Sequence, residues 1–569
     1  MAPSALPTNG NSSSSSSPRI LIPEKVSPDG LALLVPHFDI DQPRGLSAEE
    51  LISIIPNYHA LVIRSETKVT APVLAAAKNL KVVARAGVGV DNVDVDVATT
   101  HGIIVVNSPS GNIVAAAEHT IALLMSVARN VPAGDRNLRN GGWERSQLVG
   151  TEVGGKILGI IGLGKVGWKV ARMGVGLGMT VLALDPYASP EIAASASATL
   201  VSDLPSLLPN VDFLTIHTPL IASTLDLIGK KELETMKKTA KILNVARGGV
   251  YNEAALLEAL ENGTIAGAGL DVFTSEPPAA GSAAEALCRH PKVVATPHLG
   301  ASTVEAQENV SMDVCAQVLS ILEGGLPTSA VNAPLILPEE YKKLQPFVKL
   351  VEKMGGLYTQ HYTSQGKVGT AFDLVYEGEL ATISNTRPLF AALVKGLTSS
   401  ISDSGGRDVN IVNANLIAKQ KGIVINEIHT RGGSAGDMVY ASLVTLRASG
   451  QGEGIISGYV SGKSIFISRL DRFSASFVPE GTLLILHNYD RPGKIGGVGN
   501  VLGRAGVNIR SMNVAALEKG AEDEDEGESE GGEENEALMI LSVQGEVGKD
   551  VEAALREEKG VLNVSVVHL

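Results

Sequence analysis

The chain is 569 residues long, 44% of them hydrophobic and 4% aromatic, enough to bury the cores of about three or four domains. Its formal net charge of −14 is concentrated between Glu518 and Glu536, where 11 acids face one lysine; the remainder is nearly neutral and offers no basic surface for nucleic acid. Two cysteines and no apolar run of transmembrane length set aside a disulfide scaffold and a membrane-spanning chain.

Residues 1–17, MAPSALPTNGNSSSSSS, form a serine-rich, low-complexity tail that is expected to be disordered. The tail lacks both arginine and an apolar core, so it reads as neither a transit nor a signal peptide, and a cytoplasmic location is expected. Beyond it, short apolar runs at 20–22, 31–35, 60–63, 82–84 and 103–106 alternate with helical or turn stretches. That rhythm predicts a small α/β domain with a mainly parallel sheet. Arg64-Ser65 follows one run and Arg85-Ala86-Gly87-Val88-Gly89 another. Loops after such strands line a ligand crevice. An apolar helix is expected over 113–129, as a spine between domains, with Glu118 and His119 as an ordinary polar pair on it.

Residues 156–185, KILGIIGLGKVGWKVARMGVGLGMTVLALD, organise the rest. They read as strand, glycine turn, helix, strand and acid, the order of a dinucleotide-binding βαβ unit. Gly162 permits the tight turn, Gly164 lets backbone approach a pyrophosphate, and Gly167 lets helix and strand pack closely. The helix start offers unpaired N–H groups to phosphates. Asp185 would accept hydrogen bonds from the ribose diol and repel a 2′-phosphate, which points to NAD rather than NADP. Further strands end at Thr218, Arg247, Asp271 and His298, with Glu276 just beyond Asp271.

A nicotinamide enzyme must also move a proton. An arginine fork suits a substrate carboxylate, and a histidine suits the proton. Arg247, Glu276 and His298 could thus serve as anchor, orienter and proton carrier for a 2-hydroxy acid. Each also has a plainer reading: a cap partner, a loop charge and a turn residue.

The stretches NVARGG, LDVFTSEPP and TPHLGAST resemble the signatures of the D-isomer-specific 2-hydroxyacid dehydrogenases. More narrowly, ARAGVGVDNVDVDVATTHGIIVVNSPSGN is similar to the phosphoglycerate dehydrogenase branch of that family. The resemblance implies a Rossmann-type nucleotide domain (114–299) inserted in a flavodoxin-like substrate domain (18–113 and 300–328). It implies Arg247 on the substrate carboxylate and Glu276–His298 as a proton-relay dyad. It places Gly162, Gly164, Lys165, Val166, Gly167, Asp185, Thr218, Val245, Ala246, Asp271 and Gly300 around NAD. Arg64, Ser65, Arg85, Gly87, Asn112 and Arg145 are then the substrate set, with Arg64 chosen for a phosphate and Arg145 in reserve, reaching in from a neighbouring subunit. The implied reaction is NAD-dependent oxidation of D-3-phosphoglycerate, and a homodimer or homotetramer is implied with it. Val88 stands where many relatives carry threonine.

Residues 336–479 are similar to the intervening domain of the long forms, and 482–569 resemble an ACT domain, a ligand-sensing βαββαβ module. The acidic run 518–536 reads as a solvated loop within it. Asn488, Asp490 and Asn508 are candidates for an amino-acid effector such as L-serine. They lie in different loops, so they could meet only at a subunit contact or across a folded turn. No metal-ligand spacing is present. Two rival readings stand beside the first: a glyoxylate or hydroxypyruvate reductase of the same family, and a dinucleotide-sensing corepressor on the same scaffold. The long C-terminal region argues against both.

Overall fold

The computed structural model describes residues 17–366, 369–399, 409–430, 440–449, 454–516 and 536–569. The tail 1–16 and the acidic run up to residue 535 lie outside the described residues. The chain divides into two compact units: residues 1–68, 83–93 and 106–325, and residues 69–82, 94–105 and 326–569.

The first sheet has strands β1 (Arg19–Leu21), β2 (Asp39–Asp41), β3 (Ala60–Ile63), β4 (Val82–Arg85) and β5 (Ile104–Asn107), in the order β2-β1-β3-β4-β5. β1 runs parallel to both neighbours, with Ile20 opposite Ile40 and Ala60. One expectation is corrected here. The apolar run at 31–35 is no strand; it belongs to the helix Pro28–Leu34 and its cap Val35. Ser27 accepts the Gly30 amide at 3.2 Å, and Pro28 opens the first turn, so the local capping chemistry starts a helix. A five-residue apolar run looks the same in a buried strand and in one face of a short helix.

The nucleotide sheet has seven strands: β6 (Ile157–Ile161), β7 (Thr180–Leu184), β8 (Ala198–Leu200), β9 (Phe213–Ile216), β10 (Lys241–Asn244), β11 (Gly267–Leu270) and β12 (Val293–Ala295). Their order is β12-β11-β10-β9-β6-β7-β8, and every pair is parallel. The chain winds outward in one direction from β6 and in the other from β9. The carboxyl ends of β6 and β9 are therefore the topological switch point, where a crevice opens. The helix Ile113–Arg129 buries Ala117, Leu123, Leu124 and Ala128 in the core beneath this sheet.

In the second unit a six-stranded sheet is built from β13 (Ala371–Gly378), β14 (Val424–Thr430), β15 (Ser442–Ser449), β16 (Gly454–Ser461), β17 (Ser464–Leu470) and β18 (Phe473–Phe477), in the order β14-β13-β15-β16-β17-β18. The C-terminal sheet has β19 (Thr482–Tyr489), β20 (Asn508–Ala516), β21 (Glu536–Gln544) and β22 (Val561–His568), in the antiparallel order β20-β21-β19-β22. Strand alternation divides its side chains cleanly. Leu483, Ile485, Leu538 and Ile540 enter one core together with Leu350, Met354, Leu446 and Ile456 of the preceding segment. Leu484, Leu486, Met539 and Leu541 pack on the other face against Val498, Leu502 and Leu555 of the sheet's own two helices. The two C-terminal segments thus share one hydrophobic core. The resemblance separates them at 479–482, and hydrophobic periodicity does not tell which partner a buried face meets.

Candidate active site

The turn after β6 supplies the nucleotide crevice. Gly162 has φ of +92° and sits against the His217 carbonyl, where a Cβ would come within 2.6 Å of that oxygen. Only glycine fits such a turn cheaply. Nothing lies within 4 Å of a Cβ built on Gly164, so the helix Lys165–Gly176 begins beside open space. Gly167 packs against the Gly162 carbonyl. Val166 is half-buried beside the glycine turn, and Lys165 Nζ donates to Ser110 Oγ at 2.8 Å. Asp185 accepts the Leu163 amide at 2.7 Å and the Tyr187 amide at 2.8 Å, so the acid that closes the βαβ unit also braces its glycine turn. Just after β9 the buried Thr218 Oγ1 has no protein hydrogen-bond partner. A buried hydroxyl without a partner is costly. These features fit a dinucleotide: space and a helix start for its phosphates, an acid for a ribose, and a hydroxyl that needs a ligand.

The structure brings His298 and Glu276 together. His298 Nδ1 lies 2.7 Å from Glu276 Oε2, and Glu276 Oε1 accepts the Phe273 amide at 3.0 Å. Burial by itself would raise the Glu276 carboxyl, but the His298 hydrogen bond, the Phe273 amide and the imidazole charge outweigh it and hold the group below the usual range. His298 sits at φ of +54°, a left-handed conformation that non-glycine residues adopt at a cost. The hub that holds it there is Asp271. Its fully buried carboxylate accepts the Leu299 amide at 2.7 Å and the Gly300 amide at 2.8 Å, and its carbonyl accepts the His298 amide at 2.9 Å. Burial pushes this carboxyl up, and His119, Thr296 and the two amides bring it below the ordinary range. Gly300 packs against Val245.

His119 belongs to that hub. Its Nε2 is 3.2 Å from Asp271 Oδ1 and 3.0 Å from Thr296 Oγ1. The sequence reading treats it as ordinary. The one available signal is its helical spacing, which puts His119 on the same side as the buried Ala115 and Leu123. Glu118 is exposed.

Arg247 follows β10, where Asn244 accepts the Ala246 amide and donates to the Arg247 carbonyl, fixing the turn. Its Nη1 donates to the Ala246 carbonyl at 2.6 Å, and its Nε lies 3.2 Å from Asp91 Oδ2. Arg85, largely buried at the end of β4, is pushed down to about 10, chiefly by burial and then by the Arg247 charge; Arg64 adds to the same positive field. Gly87 leaves room for the Arg85 guanidinium, which a Cβ would strike. The Arg85 Nε and the Ser108 Oγ are buried without a protein hydrogen bond. Arg64 is half-buried, Ser65 exposed, and Asn112 stands at the start of the helix Ile113–Arg129. Val88 is exposed, and its carbonyl accepts the Asn107 side-chain Nδ2 at 2.6 Å. Arg145 is exposed in the turn Arg145–Gln147, near the exposed Trp143 and Val149.

The three effector candidates do not gather within one chain. Asn488 lies opposite Ala537 and Asn508 opposite Gln544, at the two ends of β21. At about 3.3 Å per residue that is roughly 23 Å. This geometry removes the folded-turn option, because β20 starts at the end of the sheet that β19 leaves behind. Asn488 is buried, donates to the Tyr489 carbonyl at 2.9 Å, and keeps an unpartnered Oδ1. Among the described residues no helix is long and apolar enough to cross a membrane, and no group of His, Cys, Asp and Glu could hold a metal ion.

A parallel sheet with a glycine turn at its switch point, a Glu–His pair and an arginine on neighbouring strand ends defines an NAD-dependent 2-hydroxyacid dehydrogenase. Residues 121–300 match the model of the D-isomer specific 2-hydroxyacid dehydrogenase NAD binding domain, and 343–466 match that of the D-3-phosphoglycerate dehydrogenase intervening domain. The chain is similar to the D-3-phosphoglycerate dehydrogenase of Synechocystis sp., at 41% identity over 87% of each chain. It is similar to that of Archaeoglobus fulgidus at 38% identity, over 97% of this chain and 100% of the relative. It also resembles the crystal structure of a glyoxylate reductase from Paecilomyes thermophila, at 28% identity and a TM-score of 0.51, over 57% of this chain and 99% of that one. The chain belongs to the D-3-phosphoglycerate dehydrogenase family.

Proposed function

We propose that this enzyme oxidises D-3-phosphoglycerate to 3-phosphohydroxypyruvate, the entry step to L-serine, and that Arg247, Glu276 and His298 carry the chemistry. The observation that supports it best is the 2.7 Å contact between His298 and Glu276 just beyond the strand ends. Glu276 occupies Nδ1, so Nε2 is the ring nitrogen that can take the proton of the substrate hydroxyl. The ionised Glu276 then steadies the imidazolium that results. Arg247 holds the substrate carboxylate by its planar fork and keeps C2 facing the nucleotide crevice. NAD, when bound there, supplies the acceptor for the electron pair that leaves C2. Its ribose is read by Asp185, and its phosphates by the start of the helix Lys165–Gly176. Arg64 takes the substrate phosphate, with Ser65, Arg85, Gly87 and Asn112 around it and Arg145 delivered across a subunit contact.

The enzyme works as a homodimer or homotetramer in the cytoplasm, with L-serine as effector at the C-terminal sheet through Asn488, Asp490 and Asn508. The reductase reading draws support from the glyoxylate reductase likeness, but that likeness spans only the catalytic core, whereas the curated relatives run through the C-terminal segments as well. Absorbance of NADH separates the readings. Purified enzyme with NAD should turn over 3-phosphoglycerate, slow on added serine, and reduce glyoxylate or hydroxypyruvate poorly. Faster turnover of glyoxylate than of the phosphorylated pair would sink the proposal.

A further inference from the structure

An arginine that is to receive a carboxylate already holds one. The Asp91 carboxylate meets Arg247 Nε at 3.2 Å, from the loop that follows Arg85. Asp91 is 74% exposed there and Arg247 27%. The approach depends on Gly89, where a Cβ would collide with Arg247 Nη2 and come within 2.7 Å of Asp91 Oδ2. The other acid beside this field is committed elsewhere: Glu24 accepts the amides of Glu66 at 3.2 Å and Thr67 at 2.9 Å. Asp91 is thus the acid that answers the joint charge of Arg85 and Arg247, and its charge opposes the depression of Arg85.

We propose that Asp91 is the resident ligand of Arg247: it neutralises and orients the guanidinium in the empty crevice, and the substrate carboxylate replaces it on binding. The proposal rests on Arg247 being the carboxylate anchor of the reaction above. Two properties suit Asp91 to this role. A mostly exposed carboxylate regains water when it lets go, so its release is cheap. A guanidinium held beside its counter-ion keeps its donors outside the protein core, so the incoming anion finds an ordered fork rather than a mobile chain. Binding is then an exchange of one carboxylate for another, and Asp91 sets the affinity for every acid that enters. It is a positioning residue and a competitor at once, and removal of its charge should strengthen substrate binding rather than weaken it.

The test is calorimetric titration of the full-length enzyme with oxalate, a small anion that needs no turnover, together with KM for the hydroxy acid. Asp91→Asn keeps shape and removes charge. It should bind oxalate about three- to fivefold more tightly, the reach of an exposed ion pair, with a matching fall in KM. Asp91→Glu, which keeps the charge, should stay near the parent. Arg247→Ala should lose oxalate. If Arg247→Ala has lost oxalate while Asp91→Asn binds it no better than the parent, or worse, Asp91 does not compete and the proposal is overturned. It is equally overturned if Asp91→Glu gains affinity as Asp91→Asn does. If Arg247→Ala still binds oxalate like the parent, Arg247 is not the anchor, and the functional reading beneath the proposal fails instead.

Discussion

The nucleotide crevice and the C-terminal sheet treat sequence distance in opposite ways. Around the crevice, Glu276 and His298 stand 22 positions apart and meet at 2.7 Å, and His119 reaches Asp271 across 152 positions. In the C-terminal sheet, Asn488 and Asn508 have a comparable separation in sequence yet stand at opposite ends of β21. The difference is one of strand direction. An all-parallel sheet brings every strand's carboxyl end to one edge, so residues that follow strands converge whatever their spacing. Asn488 and Asp490 end or follow a strand, but Asn508 begins one, and the helix Lys494–Arg504 between them returns the chain to the far edge. Convergence is to be expected among residues that share a strand end, and not between an end and a start.

The largest effect expected from breaking the crevice is at His298. His298→Ala should lower kcat by about two to four orders of magnitude, as loss of general acid–base catalysis does, with little change in NAD affinity. Steady-state kinetics with a cofactor titration decide it. Turnover within a few-fold of the parent would mean that His298 does not carry the proton. One step back from the chemistry, Asp271→Asn puts an amide NH₂ at one of the two oxygens to which the Leu299 (Oδ1) and Gly300 (Oδ2) amides now donate and removes the charge from the other. Each charge-assisted bond lost in a buried site is worth about 1.5–3 kcal/mol. A fall in kcat of about tenfold to a hundredfold, with a lower Tm, is expected. Unchanged kcat and Tm would show that the left-handed turn at His298 does not depend on that carboxylate.

Legibility in the sequence follows the same division. The glycine unit and the strand ends can be read because each is announced by a short run whose geometry is local or set by the parallel sheet, whereas the pairing of Glu276 with His298 across 22 positions is implied only by the family resemblance. The helix Pro28–Leu34 is not legible, because its apolar run is too short to show a period. His119 is overlooked because its partner Thr296 lies on another element 177 positions away, and no local pattern marks that contact. The shared core of the two C-terminal segments is hidden for a related reason. The continuous apolar runs of β19 and β21 fit burial on both faces, but do not tell that Leu350 and Ile456 cover one of them.

A milder change tests the cofactor end of the crevice. Asp185→Ala removes the charge that repels a 2′-phosphate and also releases the Leu163 and Tyr187 amides. The kcat/KM for NAD should fall and that for NADP rise, narrowing the ratio by about tenfold, which is about 1.4 kcal/mol. Parallel kinetics with the two cofactors measure it. An unchanged ratio would refute the role of Asp185 in choosing NAD.

The smallest expected effect sharpens the contrast at the C-terminal sheet. If serine regulates through the proposed residues, the site cannot be made within one chain, because Asp490 and Asn508 lie at opposite ends of the sheet. A twofold pair of chains running in opposite directions can supply the Asp490 end of one and the Asn508 end of the other. On that reading Asp490, which is exposed, would meet the effector's ammonium, an interaction worth up to about 1 kcal/mol. Asp490→Ala should therefore raise the half-inhibiting serine concentration by up to about fivefold. Asn508→Ala should do the same from the other side. Mixing is the sharper measurement. In a mixed dimer the Asp490→Ala chain keeps its Asn508 and the Asn508→Ala chain keeps its Asp490, so one of the two sites is whole. After subunit exchange at equal amounts, roughly one site in four should be intact, and part of the serine response should return. A mixture as insensitive as its two parents, with exchange shown by mass, would mean that the two ends do not build a common site.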